Sequence, residues 1–458
     1  MTRFATLSLL SLSLLACEED ADKDTSDTGF GDADTDADTD ADTDADTDVD
    51  TDTDTDTDTG TPPMSIVDIA SADPNFSLLV EAVVKADLVD TLAGPGPFTV
   101  FAPTNTAFEG AGIDSAYIAA ADGADLADIL LYHVVAGEVD SGSVPALADS
   151  VGSWTLFFDT SAGVMVNQAT VTTPDIMADN GIIHVIDDVL LPPTIVDAAV
   201  YGGLDELVTA VTAADPAVAT LLSSPGDYTV FAPDNTAFTD IAAVTATLTQ
   251  PELTDILTYH VYAGRVDSAS IPAKADSLLQ NTAGFGVSAV FDTSAGVAVN
   301  GAAVTTADII TTNGIVHIVD TVLLPPTVVD MAVNAGFDEL VNAIVAADGD
   351  LEIALATPGP FTVFAPDNQA FIDIAAVTAT LSPAELQGVL SYHVAGTYAD
   401  SSSLSQDQEV PTLLFPSSLT VDLTAGVMIE NAMVTLPDLH ATNGVVHVID
   451  TVLLPPSN

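Results

Sequence analysis

The sequence predicts an α+β protein built from three tandem copies of one domain, because short phrases recur in the same order. The first phrase is an aromatic residue followed by Thr-Val-Phe-Ala-Pro, and it begins at Phe98, Tyr228 and Phe361. The last phrase runs from Asn-Gly through a histidine to Val-Leu-Leu-Pro-Pro, and it begins at Asn180, Asn313 and Asn443. The interval of about 130 residues matches a whole domain and is too long for a solenoid repeat of about 20 to 50 residues.

Proline pairs mark the predicted domain boundaries. A Pro-Pro pair precedes each copy, and the second and third pairs also end the copy before. We therefore expect a signal segment over 1–17, a linker over 18–62, and domains over 63–193, 194–326 and 327–458. Because proline restricts the backbone and favours an extended chain, the joints between the domains are expected to be stiff.

Each copy carries local signals for helices and a buried strand. A Ser or Thr followed three residues later by Asp predicts a capping box at the first helix, at Ser65, Thr194 and Thr327. Apolar residues spaced i, i+3, i+4 and i+7 from Phe337 predict a helix with one buried face. The first phrase indicates a buried strand that ends in a turn at Pro-Thr-Asn or Pro-Asp-Asn. The following aromatic residues are expected to return to the core; they are Phe108, Phe238 and Phe371.

The Asn-Gly phrase predicts a β-hairpin with a type I′ turn, which favours this residue pair. In the outgoing strand, Ile182 and Ile186 share one face with the histidine, and Ile183 and Val185 share the other. Both faces are apolar, so the strand is expected to be central and buried. Its histidine is therefore interpreted as a hydrogen-bonded core residue in each copy: His184, His317 and His447.

In combination, these phrases resemble the fasciclin (FAS1) domain family. The TVFAP(T/D)N-x-AF segments resemble the family's first box, the NG-x-x-H-x-(I/V)-D-x-VLLPP segments its second, and a Tyr-His pair the short motif between them. The resemblance extends from Met64 to Pro456. It implies a compact β-sheet or sandwich core with several α-helices, an extracellular adhesion or matrix module, and no established catalytic activity.

The Tyr-His pair ends a predicted helix in each copy, at Tyr132-His133, Tyr259-His260 and Tyr392-His393. A histidine at this position complements the helix dipole. Two interpretations remain open. The resemblance implies that the pair contacts a receptor, whereas large rings with polar tips commonly anchor cores. We favour the second interpretation, in which the pair locks the helix to the strand that follows.

The charge of the chain limits its partners. The formal net charge is −63, and only Lys85, Arg265 and Lys274 supply positive charge within the copies. Nucleic acid and anionic membrane surfaces are therefore excluded as partners, because both are bound through Lys and Arg. Neutral or basic surfaces remain, as do anionic ones bridged by divalent cations. Mutual repulsion favours a monomer at low salt.

The N-terminus resembles a bacterial lipoprotein signal. Arg3 precedes an apolar stretch that is too short to span a bilayer, and Leu-Leu-Ala then leads to Cys17, the only cysteine of the chain. We expect lipidation of Cys17; a plain signal peptide is the alternative. Glu18, rather than Asp, follows the cysteine, which resembles an outer-membrane-directed lipoprotein more than one retained at the inner membrane. The expected location is the cell envelope or surface, lipid-anchored, with an extracellular location as the alternative.

The segment after the cysteine is an acidic linker. Between Glu18 and Asp58 lie 20 of the 68 acidic residues, mostly in Asp-Thr repeats, and the segment has one aromatic residue, Phe30. Such a composition cannot bury enough apolar surface to fold, so we expect a disordered, expanded spacer. Specific calcium sites are disfavoured, because the Gly and closing Glu of an EF-hand loop are absent.

No sequence motif for catalysis is present. The chain has no nucleophile elbow, His-Glu-x-x-His, Cys-x-x-Cys or Gly-rich phosphate loop. Each copy holds two histidines, and the third also holds His440. Because one histidine ends a helix and the other lies in an apolar strand, we expect no enzyme, no metal site and no cofactor.

The sequence therefore predicts a lipid-anchored adhesion or interaction protein. Its expected partners are surface or matrix proteins or glycans, or further copies of itself, with a dependence on divalent cations. The alternative is an envelope carrier that binds small apolar ligands. The third copy departs most from the others in the loop after the Tyr-His pair, so shared binding by all three copies is in doubt there.

Overall fold

A computed structural model describes residues 64–347 and 351–456. The predicted signal segment, Cys17 and the acidic linker lie outside these residues. Three similar repeats follow one another, each with helices and a seven-stranded sheet, which confirms the predicted α+β class with three tandem domains. In the part of the chain that the structure describes, no helix has the length and apolar character needed to span a bilayer.

The first repeat begins with helices and ends with strands. Its helices are α1 (Ile66–Ala72), α2 (Ser77–Lys85), α3 (Val89–Leu92), α4 (Asn105–Gly110), α5 (Ser115–Ala120) and α6 (Gly123–Tyr132). A 3-10 helix joins α1 to α2, at Pro74–Phe76. Its strands are β1 (Phe98–Pro103), β2 (Val134–Ala136), β3 (Leu147–Asp149), β4 (Thr155–Asp159), β5 (Met165–Val166), β6 (Ala169–Ala178) and β7 (Gly181–Ile186).

The second repeat follows the same order. Its helices are α7 (Ile195–Tyr201), α8 (Asp205–Ala213), α9 (Pro216–Ser223), α10 (Asn235–Asp240), α11 (Ala242–Thr245) and α12 (Gln250–Tyr259). Its strands are β8 (Tyr228–Pro233), β9 (Val261–Ala263), β10 (Lys274–Gln280), β11 (Gly286–Asp292), β12 (Ala298–Val299), β13 (Ala302–Thr311) and β14 (Gly314–Val319).

The third repeat differs mainly by a 3-10 helix after its second strand, at Ser401–Ser403. Its helices are α13 (Val328–Asn334), α14 (Asp338–Ala346), α15 (Leu351–Leu355), α16 (Asn368–Asp373), α17 (Ala375–Thr378) and α18 (Pro383–Tyr392). Its strands are β15 (Phe361–Pro366), β16 (Val394–Ala395), β17 (Glu409–Pro411), β18 (Ser418–Asp422), β19 (Met428–Ile429), β20 (Ala432–Ala441) and β21 (Gly444–Ile449).

A parallel pair formed by the first and last strands organises each sheet. In the first repeat, β1 and β7 run parallel, in a register that starts at Phe98↔Gly181. The strand order is β2-β1-β7-β6-β5-β4-β3, and the third repeat has the equivalent order β16-β15-β21-β20-β19-β18-β17. In the second repeat, Ser277 of β10 also pairs with Tyr262 of β9, which closes the ring of strands.

Each sheet separates two apolar cores. Val100 and Ile183 face the helices of the first repeat, whereas Phe101 and Ile186 pack with Tyr132 in the second core. The other repeats also divide their cores in this way. Because both faces of β7 are covered, all six of its residues are buried. This confirms the prediction of a central strand with two apolar faces.

Each repeat starts with the predicted capping box. At α1, the Ser65 hydroxyl accepts a hydrogen bond from the Asp68 backbone N–H at 3.2 Å, and the Asp68 carboxylate accepts from the Ser65 backbone N–H at 2.9 Å. The same reciprocal bonds begin α7 and α13. They satisfy N–H groups that a helix start otherwise leaves without partners.

The prediction of a type I′ turn at Asn-Gly is wrong, because the turn lies one residue earlier in the sequence. Ala178 pairs with Gly181, so the turn residues are Asp179 and Asn180, and the glycine opens the strand. Neither turn residue has the positive φ that a type I′ turn requires. The glycine is needed instead for close packing between parallel strands. A Cβ at Gly181 would lie 1.9 Å from the carbonyl oxygen of Phe98.

The predicted turn after the first strand is the start of a helix. Thr104, Asp234 and Asp367 are N-cap residues, and each side chain accepts a hydrogen bond from a backbone N–H three residues on. The prediction assumed that these side chains bond the nearby backbone, and they do, but the bonds cap the start of a helix rather than stabilise a turn. Phe108 lies in the core as expected, as do its two equivalents.

Candidate functional site

The histidine of each Tyr-His pair is buried at the end of its helix. In the first repeat, His133 Nδ1 donates to the Ile129 carbonyl at 2.8 Å, and Nε2 accepts from the Leu190 backbone N–H at 2.9 Å. His260 and His393 make the same pair of bonds. The ring therefore joins the helix to the Val-Leu-Leu-Pro-Pro segment at the end of the repeat.

These bonds require the neutral imidazole. A ring nitrogen that accepts from a backbone N–H cannot carry a proton, and burial disfavours the charged form. Burial accordingly lowers the pKa of His133, His260 and His393 to about 4, while the bond to the helix carbonyl opposes the shift. All three rings are neutral at physiological pH.

The tyrosine of the pair joins the helix to the sheet. The Tyr132 hydroxyl donates to the Thr155 carbonyl and accepts from Asn167 Nδ2, each at 2.9 Å. Tyr259 makes the same bonds with Ser288 and Asn300. Burial raises the pKa of both phenols, so they remain protonated donors.

The third repeat has only part of this arrangement. The Tyr392 hydroxyl donates to the Ser418 carbonyl at 3.2 Å. Glu430 occupies the turn position of Asn167, and both residues have positive φ. Its carboxylate accepts from the Thr420 backbone N–H at 2.8 Å. The third repeat thus departs from the others at this site as well as in the loop that the sequence singled out.

The strand histidine binds two backbone groups. His184 Nε2 donates to the Val139 carbonyl at 2.8 Å, and Nδ1 accepts from the Asp175 backbone N–H at 3.2 Å. His317 and His447 repeat both bonds. Burial lowers the pKa of His317 and His447. Each ring holds a bulge of the neighbouring strand against the loop after the Tyr-His pair.

A serine and an aspartate that sequence reasoning missed complete this arrangement. The Asp175 carboxylate accepts from the Ser141 backbone N–H at 2.8 Å and from its hydroxyl at 2.5 Å. The equivalent pairs are Ser268 with Asp308 and Ser401 with Asp438. The available signal was the spacing, because each aspartate stands nine residues before the strand histidine.

This Ser-Asp-His grouping is not arranged for nucleophilic catalysis. A serine nucleophile needs a ring nitrogen that is free to take its proton. Here the serine bonds the aspartate, and both nitrogens of His184 are engaged with backbone groups. The nearest carboxylate oxygen of Asp175 lies 3.9 Å from Nδ1. The geometry holds a loop in place.

Two apolar cavities adjoin the Tyr-His histidines. Each has a volume of about 120 Å³. The first lies between α1, α2 and β1, with His133 in its wall, and its lining includes Ile66, Leu79, Val83, Val100 and Leu130. The second lies at the equivalent place beside His260. Within the described residues, no group of three His, Cys, Asp or Glu side chains is placed to hold a metal.

Comparison with known proteins identifies the repeats. A family model described as "Fasciclin domain" matches residues 74–192, 202–325 and 335–455. The chain belongs to the fasciclin domain family. Each matched stretch contains one Tyr-His pair and one strand histidine, so one fasciclin domain falls within each structural repeat, beginning after its first helix. The resemblance seen in the sequence is confirmed.

Relatives of different lengths share the fasciclin domain. Uncharacterized protein sll1735 of Synechocystis sp. is 50% identical over 129 residues, which cover 28% of this chain and 97% of that protein. Transforming growth factor-beta-induced protein ig-h3 of Sus scrofa is 27% identical over 405 residues, which cover 86% of this chain and 58% of that protein. This chain therefore matches little more than half of the ig-h3 protein.

A solved structure also matches. It is that of a FAS1 domain pair from the insect cell adhesion molecule Fasciclin I. The match has 24% sequence identity and a TM-score of 0.36, and it covers 56% of this chain and 97% of that chain.

Proposed function

We propose that this protein is a lipid-anchored cell-surface protein that presents three fasciclin domains for adhesion or matrix binding. The observation that carries the proposal is that three fasciclin matches make up almost all of the described chain. A cell adhesion molecule is among the proteins that contain this domain. We infer that the protein binds partners through its surface and is not an enzyme.

We infer further that the nine motif residues are structural. They are the tyrosine and histidine of each pair and the strand histidines: Tyr132, His133, His184, Tyr259, His260, His317, Tyr392, His393 and His447. Their burial and their bonds to backbone groups within the same repeat support this role. A receptor-contact role for the Tyr-His pair requires exposure, and both residues of each pair are buried.

Two of the three positive charges of the repeats, those of Arg265 and Lys274, are bound to groups of the protein itself, whereas Lys85 is exposed. Arg265 Nη2 donates to the carbonyls of Thr311 and Thr312, at 3.0 and 2.7 Å, and Nε donates to Asp227 at 2.9 Å. Lys274 Nζ binds two backbone carbonyls at 3.0 and 2.7 Å. The surface left for partners is acidic, which supports neutral or basic partners and contacts bridged by divalent cations.

Bead aggregation tests the proposal. The full chain is coupled to beads at several densities, through its N-terminal end, in calcium or in sodium chloride of matched ionic strength. We expect aggregation, or capture by beads that carry envelope or matrix material, to rise steeply with density, because linked weak contacts add through multivalency. The proposal fails if coated beads behave like uncoated ones in every solution.

The cavities support the second candidate, a carrier of small apolar ligands. An apolar cavity of about 150 Å³ stays dry and binds benzene or xenon, so the cavities here suit a ligand of that size rather than a whole lipid. Saturating benzene should raise the unfolding temperature, and filling both cavities by Ala70→Leu with Ala199→Leu should abolish the shift. Equal shifts in both proteins contradict binding at these sites.

A further inference from the structure

Adjacent repeats contact each other through one pair of faces. The outgoing face of a repeat is carried by β3 and β4, or by β10 and β11, or by β17 and β18. At the first junction, the Thr155 hydroxyl on this face accepts from the Ile310 backbone N–H at 2.9 Å. Two positions along β4, Phe157 packs into the core of the second repeat, 6.0 Å from the ring of Tyr201.

The second junction uses the same positions. Ser288 takes the place of Thr155, and its hydroxyl accepts from the His440 backbone N–H at 3.0 Å. Val290 takes the place of Phe157 and packs against the core of the third repeat. The incoming face is therefore also the same in both cases, because Ile310 and His440 occupy equivalent positions of β13 and β20.

Two further contacts strengthen the second junction. Lys274 of β10 donates to the carbonyls of Pro437 and Asp438 on the incoming face. Phe285 stacks on His440, with ring centroids 4.7 Å apart, and on Tyr398 at 5.5 Å. A lysine and an aromatic ring thus anchor this pair of faces.

Among the described residues, no repeat packs on the outgoing face of the third repeat. Ser418 is equivalent to Thr155 and Ser288, whose hydroxyls accept the hydrogen bonds at the two junctions. In all three residues, the backbone carbonyl accepts a hydrogen bond from the tyrosine of the Tyr-His pair. Phe415 stands three residues before Ser418, as Phe285 stands before Ser288. Phe415 is 92% exposed. An aromatic residue is therefore present at the same sequence spacing, and it is exposed.

Within the part of the chain that the structure describes, the incoming face of the first repeat is exposed as well. Met177 occupies the position of Ile310 and His440, and it is 63% exposed. Pro174 and Asp175 repeat the Pro-Asp pair whose carbonyls bind Lys274, and Asp175 shares the positive φ of Asp438. A methionine makes favourable contacts with aromatic rings, so this face offers a place for Phe415.

One position of the outgoing face differs in each repeat: it is Leu147 at the first junction, Lys274 at the second, and Glu409 on the third repeat. Glu409 lies opposite Thr420 in the pair formed by β17 and β18, just as Lys274 lies opposite Val290 in the pair formed by β10 and β11. A carboxylate therefore stands where the second junction has an ammonium. Backbone carbonyls repel a carboxylate, but a hard divalent cation binds both kinds of oxygen.

We propose that a second copy of this chain docks the incoming face of its first repeat onto the outgoing face of the third repeat, and that Glu409 makes this contact depend on a divalent cation. The inference rests on the proposed adhesive function and gives it a partner surface. The contact is heterologous, so it extends into chains or rings of molecules rather than closing as a two-fold dimer. Thr420, which replaces Phe157 and Val290, makes it weaker than the junctions within the chain.

Sedimentation velocity of the full chain tests this proposal. Cys17→Ser is present throughout so that lipid does not mediate association. We expect concentration-dependent association in millimolar calcium and none in a chelator at matched ionic strength. Glu409→Lys should associate in both solutions, at least roughly tenfold more tightly than the parent in chelator, because it restores the ammonium of the second junction.

Variants of the two faces complete the test. Phe415→Ser and Met177→Asp should each abolish association, whereas Ile353→Ser, at a 66% exposed position of α15, should leave it unchanged. The proposal is overturned if Glu409→Lys stays monomeric in chelator, or if Phe415→Ser associates as tightly as the parent. If only the contact between copies is wrong, beads still capture envelope or matrix material. If the adhesive function itself is wrong, neither bead capture nor association between copies is observed.

Discussion

At the residue scale, the histidines of the Tyr-His pairs act as fixed links between backbone segments. Each spans from a helix carbonyl to a backbone N–H about sixty residues further along the chain. A neutral imidazole is suited to this because it is at once a donor and an acceptor. The cost is sensitivity to acid, because protonation removes the acceptor.

The first prediction concerns acid stability. The folded-state pKa of about 4 lies below the ordinary histidine value of 6.5, so the unfolded chain takes up protons first as the pH falls. The stability is fully present above about pH 6.5, and it is lost progressively down to about pH 4, by on the order of 3 kcal/mol per histidine. Urea unfolding at pH 7.5 and 4.5 measures the loss.

A matched variant isolates this effect from the titration of the carboxylates. His260→Gln should be less stable than the parent at pH 7.5, because the Leu323 backbone N–H loses its acceptor. It should also lose less stability on acidification. If the parent and the variant respond equally to pH, His260 is not the group that titrates.

The second prediction concerns Gly181. Gly181→Ala should destabilise the first repeat by at least about 2 kcal/mol, because the added Cβ meets a backbone carbonyl that cannot move away without breaking the parallel pair. Gly110→Ala at the end of α4 is the control. Its Cβ meets nothing within 4 Å, so stability should be unchanged or slightly higher. Thermal unfolding compares the two, and similar losses would refute the packing explanation.

At the element scale, residues close together in the sequence predicted helices and strands correctly, whereas contacts between residues far apart in the sequence were not predicted. The capping boxes, the helix ahead of the Tyr-His pair and the central strand each depend on residues close in sequence, and the structure has them. The Asn-Gly turn was misassigned because two constraints compete for the glycine. Turn propensity favours a loop position, but close packing of β7 on β1 places it at the start of the strand.

Long-range partners were beyond sequence reasoning. Ser141 and Asp175 are 34 residues apart, and neither matches a motif. Asn180 is a second case: its side chain accepts from the Ile66 backbone N–H and donates to the carbonyls of Leu92 and Gly94. The asparagine thus ties the hairpin to the start of α1 and the end of α3, a role that turn propensity does not suggest.

The third prediction concerns the first junction. Phe157→Ala should destabilise the second repeat although the residue lies in the first, because its ring packs in the core of the second repeat. We expect a loss of about 3–5 kcal/mol. Hydrogen exchange of α8 and β13 reports it, with α4 of the first repeat as the internal reference. A change confined to the first repeat would show that the ring serves only its own repeat.

At the scale of the whole molecule, the domain boundaries at the proline pairs and the anchor at Cys17 remain predictions. The joints contain more than the proline pairs that the sequence showed. Side chains from β4 and β11 cross into the next repeat, and no local pattern indicates partners more than 150 residues away. The family, by contrast, was predictable, because its phrases occur three times in one chain.

The fourth prediction concerns the anchor. Cys17→Ser should move the protein from the membrane fraction to the soluble fraction, because the acyl chains are expected to supply the membrane affinity. Fractionation of the producing cells, with antibody detection, measures the shift. Ser26→Ala in the linker is a matched control that should stay with the membrane. An unchanged distribution of Cys17→Ser would place the anchor elsewhere.

The scarcity of basic residues has a consequence for survival outside the cell. Proteases of trypsin specificity cut after Lys or Arg, and proteolytic cuts concentrate in exposed, poorly ordered segments. The three repeats offer only Lys85, Arg265 and Lys274. Arg265 and Lys274 are tied to backbone carbonyls, and Lys85 ends a helix. We therefore expect the three repeats, unlike the linker that contains Lys23, to persist where such proteases degrade their neighbours.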